Sequence, residues 1–186
     1  MVAAALAETG GTMTISSRII RGAVAAWLRY ERQCHLVVFD RGDDVVPGTP
    51  DILAVDKKRM AVEVEIKISM SDFKRDAKKQ KWLPHYGKDY YTGQDRRPAF
   101  FYYAVPSKLV DKVAPMLPDG VGLLTLEDHV SPHSLTGVPA VVSKVAAQRN
   151  KTAPRLSWAN CYRMISHQTG TLVTLECEAA ANSMEA

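Results

Sequence analysis

Apolar residues recur at helical spacing through 14–32, where Ile20, Val24, Trp27 and Leu28 form one stripe. With Thr14 or Ser16 available as an N-cap, this spacing predicts an amphipathic helix packed on a sheet. Residues 35–39 are a short apolar run ended by Arg41-Gly-Asp-Asp44, a strand and a turn, and 47–50 continue as a loop. Two more strand-like runs, 51–55 and 60–68, flank the charged turn 56–59, which is long enough to reverse the chain into a hairpin. From Ser69 to Trp82 the period becomes helical: Met70, Phe73 and Ala77 share a face, and Ser69 or Ser71 can cap the start. A polar, aromatic and basic loop over 83–97 precedes a strand at 99–105. A helix over 106–117 and strands at 120–126 and 140–146 complete the order α-β-β-β-α-β-α-β-β. Beyond Gln148, Pro154 suits the first turn of a helix whose Trp158, Tyr162 and Ile165 share a face suited to core packing, with a frayed end from about Glu178.

This order predicts an α/β fold with a mixed β-sheet and flanking helices. The 186 residues suffice for one core and are few for two. The expected organisation is a loose tail at 1–12, an α/β domain at 13–147 and a C-terminal extension at 148–186. Hydrophobic residues at 46% and charged residues at 24% are ordinary for a folded chain, which sets disorder aside. The net charge of +4 suits an anionic partner without requiring one. Cys34, Cys161 and Cys177 are odd in number and widely spaced, so neither a disulfide framework nor a zinc knuckle is suggested, and a cytoplasmic location is expected. No segment reaches the roughly 20 apolar residues that cross a bilayer, so no membrane partner is expected.

Alternation along the 60–68 strand puts Glu63, Glu65 and Lys67 on one face and Val62, Val64, Ile66 and Ile68 on the other. Alone, that charged face reads first as the solvated side of a half-exposed strand. Asp51 changes the picture, because it opens the neighbouring strand and the hairpin can bring its carboxylate beside Glu65. Mg²⁺ takes oxygen ligands, usually one or two carboxylates with waters and substrate phosphate, and Asp51 with Glu65 supplies that minimum. Lys67 adds a fixed positive charge for a phosphate in its transition state.

Pro50-Asp51 followed by Glu65-Ile-Lys67 at the end of the next strand resembles the motif of the PD-(D/E)xK nuclease superfamily, and the element order is similar to its restriction-endonuclease-like αβββαβ core. The run 62–76, with Phe101-Tyr-Tyr-Ala-Val-Pro106 and Leu117-Pro-Asp-Gly-Val-Gly-Leu123, looks like the MmcB-type DNA-repair proteins and their phage-borne relatives, over about residues 48–127. The resemblance implies a Mg²⁺- or Mn²⁺-dependent deoxyribonuclease acting on DNA in repair or phage DNA processing. It makes Asp51 and Glu65 the metal ligands, adds the backbone carbonyl of Ile66, and makes Lys67 the catalytic lysine. Glu63 stands outside the family motif as an additional candidate ligand. Alanine at Asp51, Glu65 or Lys67 is expected to abolish cleavage without unfolding the protein.

Lys74, Lys78, Lys79 and Lys81 on the following helix are candidate DNA contacts, set against a solvated helix face with Asp72 and Asp76 pairing some of the charge. The aromatic and basic loop has the composition of a strand-binding surface, and also that of an ordinary long loop. His129 and His133 lack a third zinc ligand, and Glu31 reads as a surface acid. The rival to a nuclease is a non-catalytic DNA-binding or interaction module on the same fold; an RNase shares the metal chemistry. A homodimer is left open, with no interface derived.

Overall fold

The computed structural model describes residues 15–42, 45–76, 96–127 and 138–184. The tail at 1–12, most of the 83–97 loop, Lys78, Lys79, Lys81, His129 and His133 lie outside the described residues. The order of elements is α1 (Ser17–Ala26), continued by a π-helical turn (Trp27–Glu31), then β1 (Leu36–Phe39), β2 (Ile52–Val55) and β3 (Ala61–Ile66). There follow α2 (Met70–Asp76), β4 (Phe100–Ala104), α3 (Val110–Val113) between 3-10 turns, β5 (Gly122–Leu126), β6 (Val141–Val145) and α4 (Trp158–Met184). Among the described residues the strands form one six-stranded mixed sheet in sequence order, flanked by four helices, which is an α/β fold.

Local chemistry explains the joints. Ser16 caps α1 by accepting from the Ile19 N–H at 3.3 Å. Asp56 closes the β2–β3 hairpin: its Oδ1 accepts from the N–H groups of Lys58 and Met60, and Arg59 takes the left-handed conformation that ends the turn. β1, β2 and β3 pair antiparallel. β4 and β5 are added parallel, each after a crossover containing a helix, and β6 closes the sheet antiparallel.

The strand alternation sorts the core into two layers. Ile52, Ala54, Val62, Val64, Ile66, Tyr102 and Leu124 pack against Ile20, Val24 and Leu28 of α1 and its extension. The opposite face carries two separate clusters. Val38, Leu53, Val55 and Ala61 meet Leu156, Cys161 and Met164; Tyr103, Val105 and Leu123 meet Phe73, Leu109 and Val113 from α2 and α3. Glu63, Glu65 and Lys67 emerge from β3 between these clusters.

Four expectations change here. The charged face of β3 is buried rather than solvated, because the helices that cover β1–β2 and β4–β5 close over the strand between them. Ile68, read as part of the apolar face, is exposed beyond the strand end. In the C-terminal extension, α4 starts at Trp158 with Ser157 accepting from the Asn160 N–H, four residues after Pro154. The face turned to the sheet carries Cys161 and Met164, while Trp158, Tyr162 and Ile165 are exposed. Both sets are apolar at helical spacing, so periodicity cannot choose between them. The helix also runs to Met184, past the fraying expected from about Glu178.

Gly42 turns the loop that delivers Pro50 and Asp51 to β2, its carbonyl accepting from the N–H groups of Val45 and Val46 at 2.8 and 2.7 Å. A methyl group there would meet the Gly48 carbonyl oxygen at 2.6 Å and press on the Pro50 ring. Gly42→Ala is therefore expected to destabilise the protein by roughly 2 kcal/mol. A denaturant midpoint equal to that of the wild type would show that the loop has room to spare.

Candidate active site

The β2–β3 register pairs Ile52 with Val64, and one further step sets Asp51 opposite Glu65 at the open end of the hairpin. Asp51 Oδ2 accepts from the Ile66 N–H at 2.7 Å, so the side chain takes the place of a ladder carbonyl just where β2 begins. A strand residue presents its N–H and C=O along the same edge, so the Ile66 carbonyl also leaves on the side of Asp51. The three oxygen donors expected at a metal site are thus brought to one end of one hairpin.

Lys67 follows β3, and its N–H donates to the Ala104 carbonyl at 3.0 Å, which fixes its backbone against β4. Its ammonium donates to Glu65 Oε2 at 2.8 Å and lies 3.2 Å from Asp76 Oδ1. The Tyr103 hydroxyl in turn donates to Asp76 Oδ2 at 2.7 Å. The Tyr103 ring sits edge-on to Phe73 and Phe101, so the phenol is held by packing on both sides. The result is a buried polar chain, Tyr103–Asp76–Lys67–Glu65, in which Asp76, Lys67 and Glu65 are 1, 4 and 3% exposed. Asp51 stands at its wet end, with a side chain 31% exposed.

Charge in this cluster is shared unevenly. Burial pushes the Asp51 carboxyl above the ordinary carboxylate range; the Ile66 N–H opposes that shift, the Glu65 charge adds to it, and Lys67 and Arg21 oppose it. Burial would lower the Lys67 pKa, but the Glu65 hydrogen bond and the charges of Glu65, Asp76 and Asp51 outweigh it and raise it above the ordinary lysine range. Lys67 is therefore an ammonium at neutral pH, a charge and a donor rather than a base. Burial, with Asp76 beside it, raises the Tyr103 hydroxyl far out of the titrating range, so it remains a donor.

Arg21 of α1 binds Asp40 through two hydrogen bonds of 2.6 and 3.0 Å and reaches to 3.8 Å from Asp51 Oδ1. Its guanidinium, half-exposed, borders the mouth of the site from the α1 side of the sheet.

Among the described residues, no three His, Cys, Asp or Glu side chains gather as a metal-ligand cluster. The smaller set present fits a hard divalent cation: two carboxylates and a carbonyl offer only oxygen, and Mg²⁺ fills its remaining positions with water and phosphate. Glu63 lies one same-face step back along β3, at roughly 7 Å. It is buried at one side of a cleft of about 420 Å³ that Phe101, Arg97 and Arg149 also line. Asp51, Glu65 and Lys67 do not line that cleft.

No family model matches the chain, and no curated protein matches it either. A solved structure of a protein of unknown function from Silicibacter pomeroyi is similar to it, with a TM-score of 0.59 and 20% identity over 88% of this chain and 94% of that one. Likeness at this identity shows a shared fold.

Of the expected DNA contacts, Lys74 is exposed on α2, and the other three lie outside the described residues. Glu31 is exposed, in keeping with a surface acid. Asp72 pairs with Arg75 at 3.4 Å as a surface acid would, but Asp76 turns inward to Lys67. Asp76, Tyr103 and Arg21 are the site neighbours that sequence reasoning missed. For Asp76 a signal was present: it follows Phe73 by three residues, which places it on the buried face of the helix.

Proposed function

We propose that this chain is a metal-dependent deoxyribonuclease that hydrolyses DNA phosphodiester bonds, with Asp51 and Glu65 holding Mg²⁺ or Mn²⁺ and Lys67 stabilising the transition state. The observation that carries the reading is the convergence of Asp51 and Glu65, from adjacent strands, on a lysine already fixed in its charged form. Asp51, raised in pKa chiefly by burial and further by the Glu65 charge, is a carboxylate whose charged form a bound cation would favour. When bound, the ion would supply Lewis-acid activation of a water and neutralise phosphate charge. The chain's own share is positional. The Ile66 N–H holds one Asp51 oxygen so that the carboxylate cannot rotate freely, and Glu65 aligns the Lys67 ammonium by a direct hydrogen bond. Lys67, kept protonated, is a donor for a non-bridging phosphate oxygen. A role in DNA repair or phage DNA processing rests on the sequence resemblance.

The test is incubation with end-labelled single-stranded, duplex and branched DNA in Mg²⁺ or Mn²⁺, with EDTA as control. Cleavage that EDTA abolishes is the expected result, and no cleavage of any of the three would overturn the proposal. The pH dependence supplies a separate check. A carboxyl with a raised pKa takes up a proton more readily in the folded protein, so proton competition for the site begins above the ordinary carboxylate range. Mn²⁺ affinity, followed by titration calorimetry, is expected to weaken as pH falls and to level off only above the raised Asp51 pKa. Affinity that holds constant down to ordinary carboxylate values would place the ion elsewhere.

One observation favours a second reading. Lys67 is buried and engaged by two carboxylates, as in an ion network that serves only the fold. On that reading the protein is a DNA-binding or interaction module, and it would shift DNA in a gel equally well with EDTA or Mg²⁺.

A further inference from the structure

Arg21 follows Ile20, which packs on the sheet, and is itself half-buried, so it leaves α1 at the border of the packed face. Three contacts hold its guanidinium there. Asp40 accepts two hydrogen bonds, 2.6 Å from Nη1 and 3.0 Å from Nη2. The Phe39 ring lies beneath it, 5.8 Å to the centroid. Asp51 Oδ1 is 3.8 Å from Nη2. The end of β1 delivers the first two partners: Phe39 is its last residue, and Asp40 follows in the left-handed conformation, φ 50°, donating its N–H to the Asp51 carbonyl at 3.4 Å. One helix and two strand ends thus set a planar donor at a fixed place beside the site.

The surroundings say what this donor can meet. Asp51 Oδ2 is taken by the Ile66 N–H, so Oδ1, the oxygen that Arg21 approaches, is the one the hairpin leaves for a ligand. Two cations act on Asp51. Lys67 is 6% exposed with Glu65 and Asp76 against its ammonium, whereas the Arg21 side chain is 34% exposed. An anion arriving from solvent therefore meets Arg21 first. The Asp40 pair occupies two of the five guanidinium N–H groups, and three remain as donors in a plane already oriented, which suits a phosphate. The two cations also belong to opposite faces of the sheet, Lys67 to the α2 side and Arg21 to the α1 side. A polyanion that engages both crosses the open end of the hairpin between them.

We propose that Arg21 binds a backbone phosphate of the substrate, the neighbour of the one that is cut, with Asp40 as its positioning residue. The inference rests on the nuclease reading for the identity of the polyanion. It has a second consequence, because a guanidinium 3.8 Å from Asp51 Oδ1 competes with any other cation for that oxygen. Arg21 therefore opposes the bare ion and favours the substrate.

The experiment follows DNA and Mn²⁺ separately, in the wild type, Arg21→Gln and Arg21→Lys. DNA binding in Mn²⁺ is measured at several salt concentrations, as KM where labelled DNA is cut and by fluorescence anisotropy where it is not. Mn²⁺ binding without DNA is measured by titration calorimetry. Arg21→Gln is expected to weaken DNA binding about tenfold, with kcat within about twofold of the wild type, and to lower the slope of log affinity against log salt by about one. The Mn²⁺ affinity of the same variant is expected to rise about fivefold, because the competing charge is gone. Arg21→Lys keeps the charge without the fork, and is expected to restore the salt slope and only part of the affinity. Opposite signs for DNA and Mn²⁺ are what a mere brace for the fold would not produce, since a loosened site weakens both. An unchanged salt slope in Arg21→Gln, or Mn²⁺ affinity that falls together with DNA affinity, would overturn the proposal, and cleavage by the wild type would then leave the nuclease reading standing. A wild type that binds DNA without cutting it, and loses one unit of slope in Arg21→Gln, would end the nuclease reading and keep Arg21 as a phosphate contact.

Discussion

Asp51→Asn is expected to lower metal-stimulated DNA cleavage by about 100-fold or more while leaving a folded protein. The two consequences separate because the residue does two things. One Asp51 oxygen accepts the Ile66 N–H at 2.7 Å and so secures the end of the hairpin. An amide oxygen can accept the same bond, so the ladder at Ile66 survives the substitution. What asparagine cannot supply is the negative charge that, on the proposed function, would attract a divalent cation together with Glu65. Asp51→Ala removes both and is expected to lose about 1 kcal/mol of stability as well, from the Ile66 N–H left without its acceptor. The measurement is cleavage of labelled DNA beside Mn²⁺ titration and a denaturant melt of each variant. Cleavage by Asp51→Asn at the wild-type rate would remove Asp51 from the reaction. Lost cleavage with undiminished Mn²⁺ affinity would mean that Asp51 acts on the substrate and not on the ion.

The order of elements, the hairpin and the placement of Glu63, Glu65 and Lys67 on one face were legible in the sequence, because they follow from periods of two and of about four residues that a single strand or helix imposes. Ser16 and Ser69 as helix starts were legible for the same local reason: each hydroxyl meets an N–H three residues on. What was not legible depends on what a third element covers. The face of β3 reads as solvated if only the strand is considered, and it is buried because α4 on one flank and α2 and α3 on the other cover the same face of the sheet. The same blindness reverses α4, where the apolar residues that pack and those that remain outside have the same spacing. Asp76 is nine residues beyond Lys67, and its role emerges only because the short link from Lys67 to α2 folds the helix back over its own strand.

That burial changes what Lys67→Ala should do. Read from the strand alone, the substitution removes a surface charge and leaves the fold unaltered. In the structure, the ammonium is held between Glu65 and Asp76, both nearly inaccessible, with Tyr103 fixing the far oxygen of Asp76. Removing it leaves two buried carboxylates facing each other, and breaking such a pair from one side costs about 3–5 kcal/mol. Lys67→Ala is therefore expected to lose stability as well as activity, and lost cleavage in that variant alone cannot be assigned to chemistry. The double variant Lys67→Met, Asp76→Asn separates the two. Methionine fills the space of the lysine stem, and asparagine removes one of the stranded charges while its amide oxygen still accepts from Tyr103. Denaturant melts should show the double variant recovering a large part of the stability lost in Lys67→Ala, while DNA cleavage stays absent. The wild-type pair has its own pH signature. The folded Lys67 pKa lies above that of the unfolded chain, so its contribution is fully present below the ordinary lysine pKa and is lost only as pH rises through the higher folded value. If instead Lys67→Ala melts with the wild type, the ammonium contributes little to the fold. If the double variant regains cleavage together with stability, Lys67 was holding the site's shape, and the transition-state charge must come from another cation.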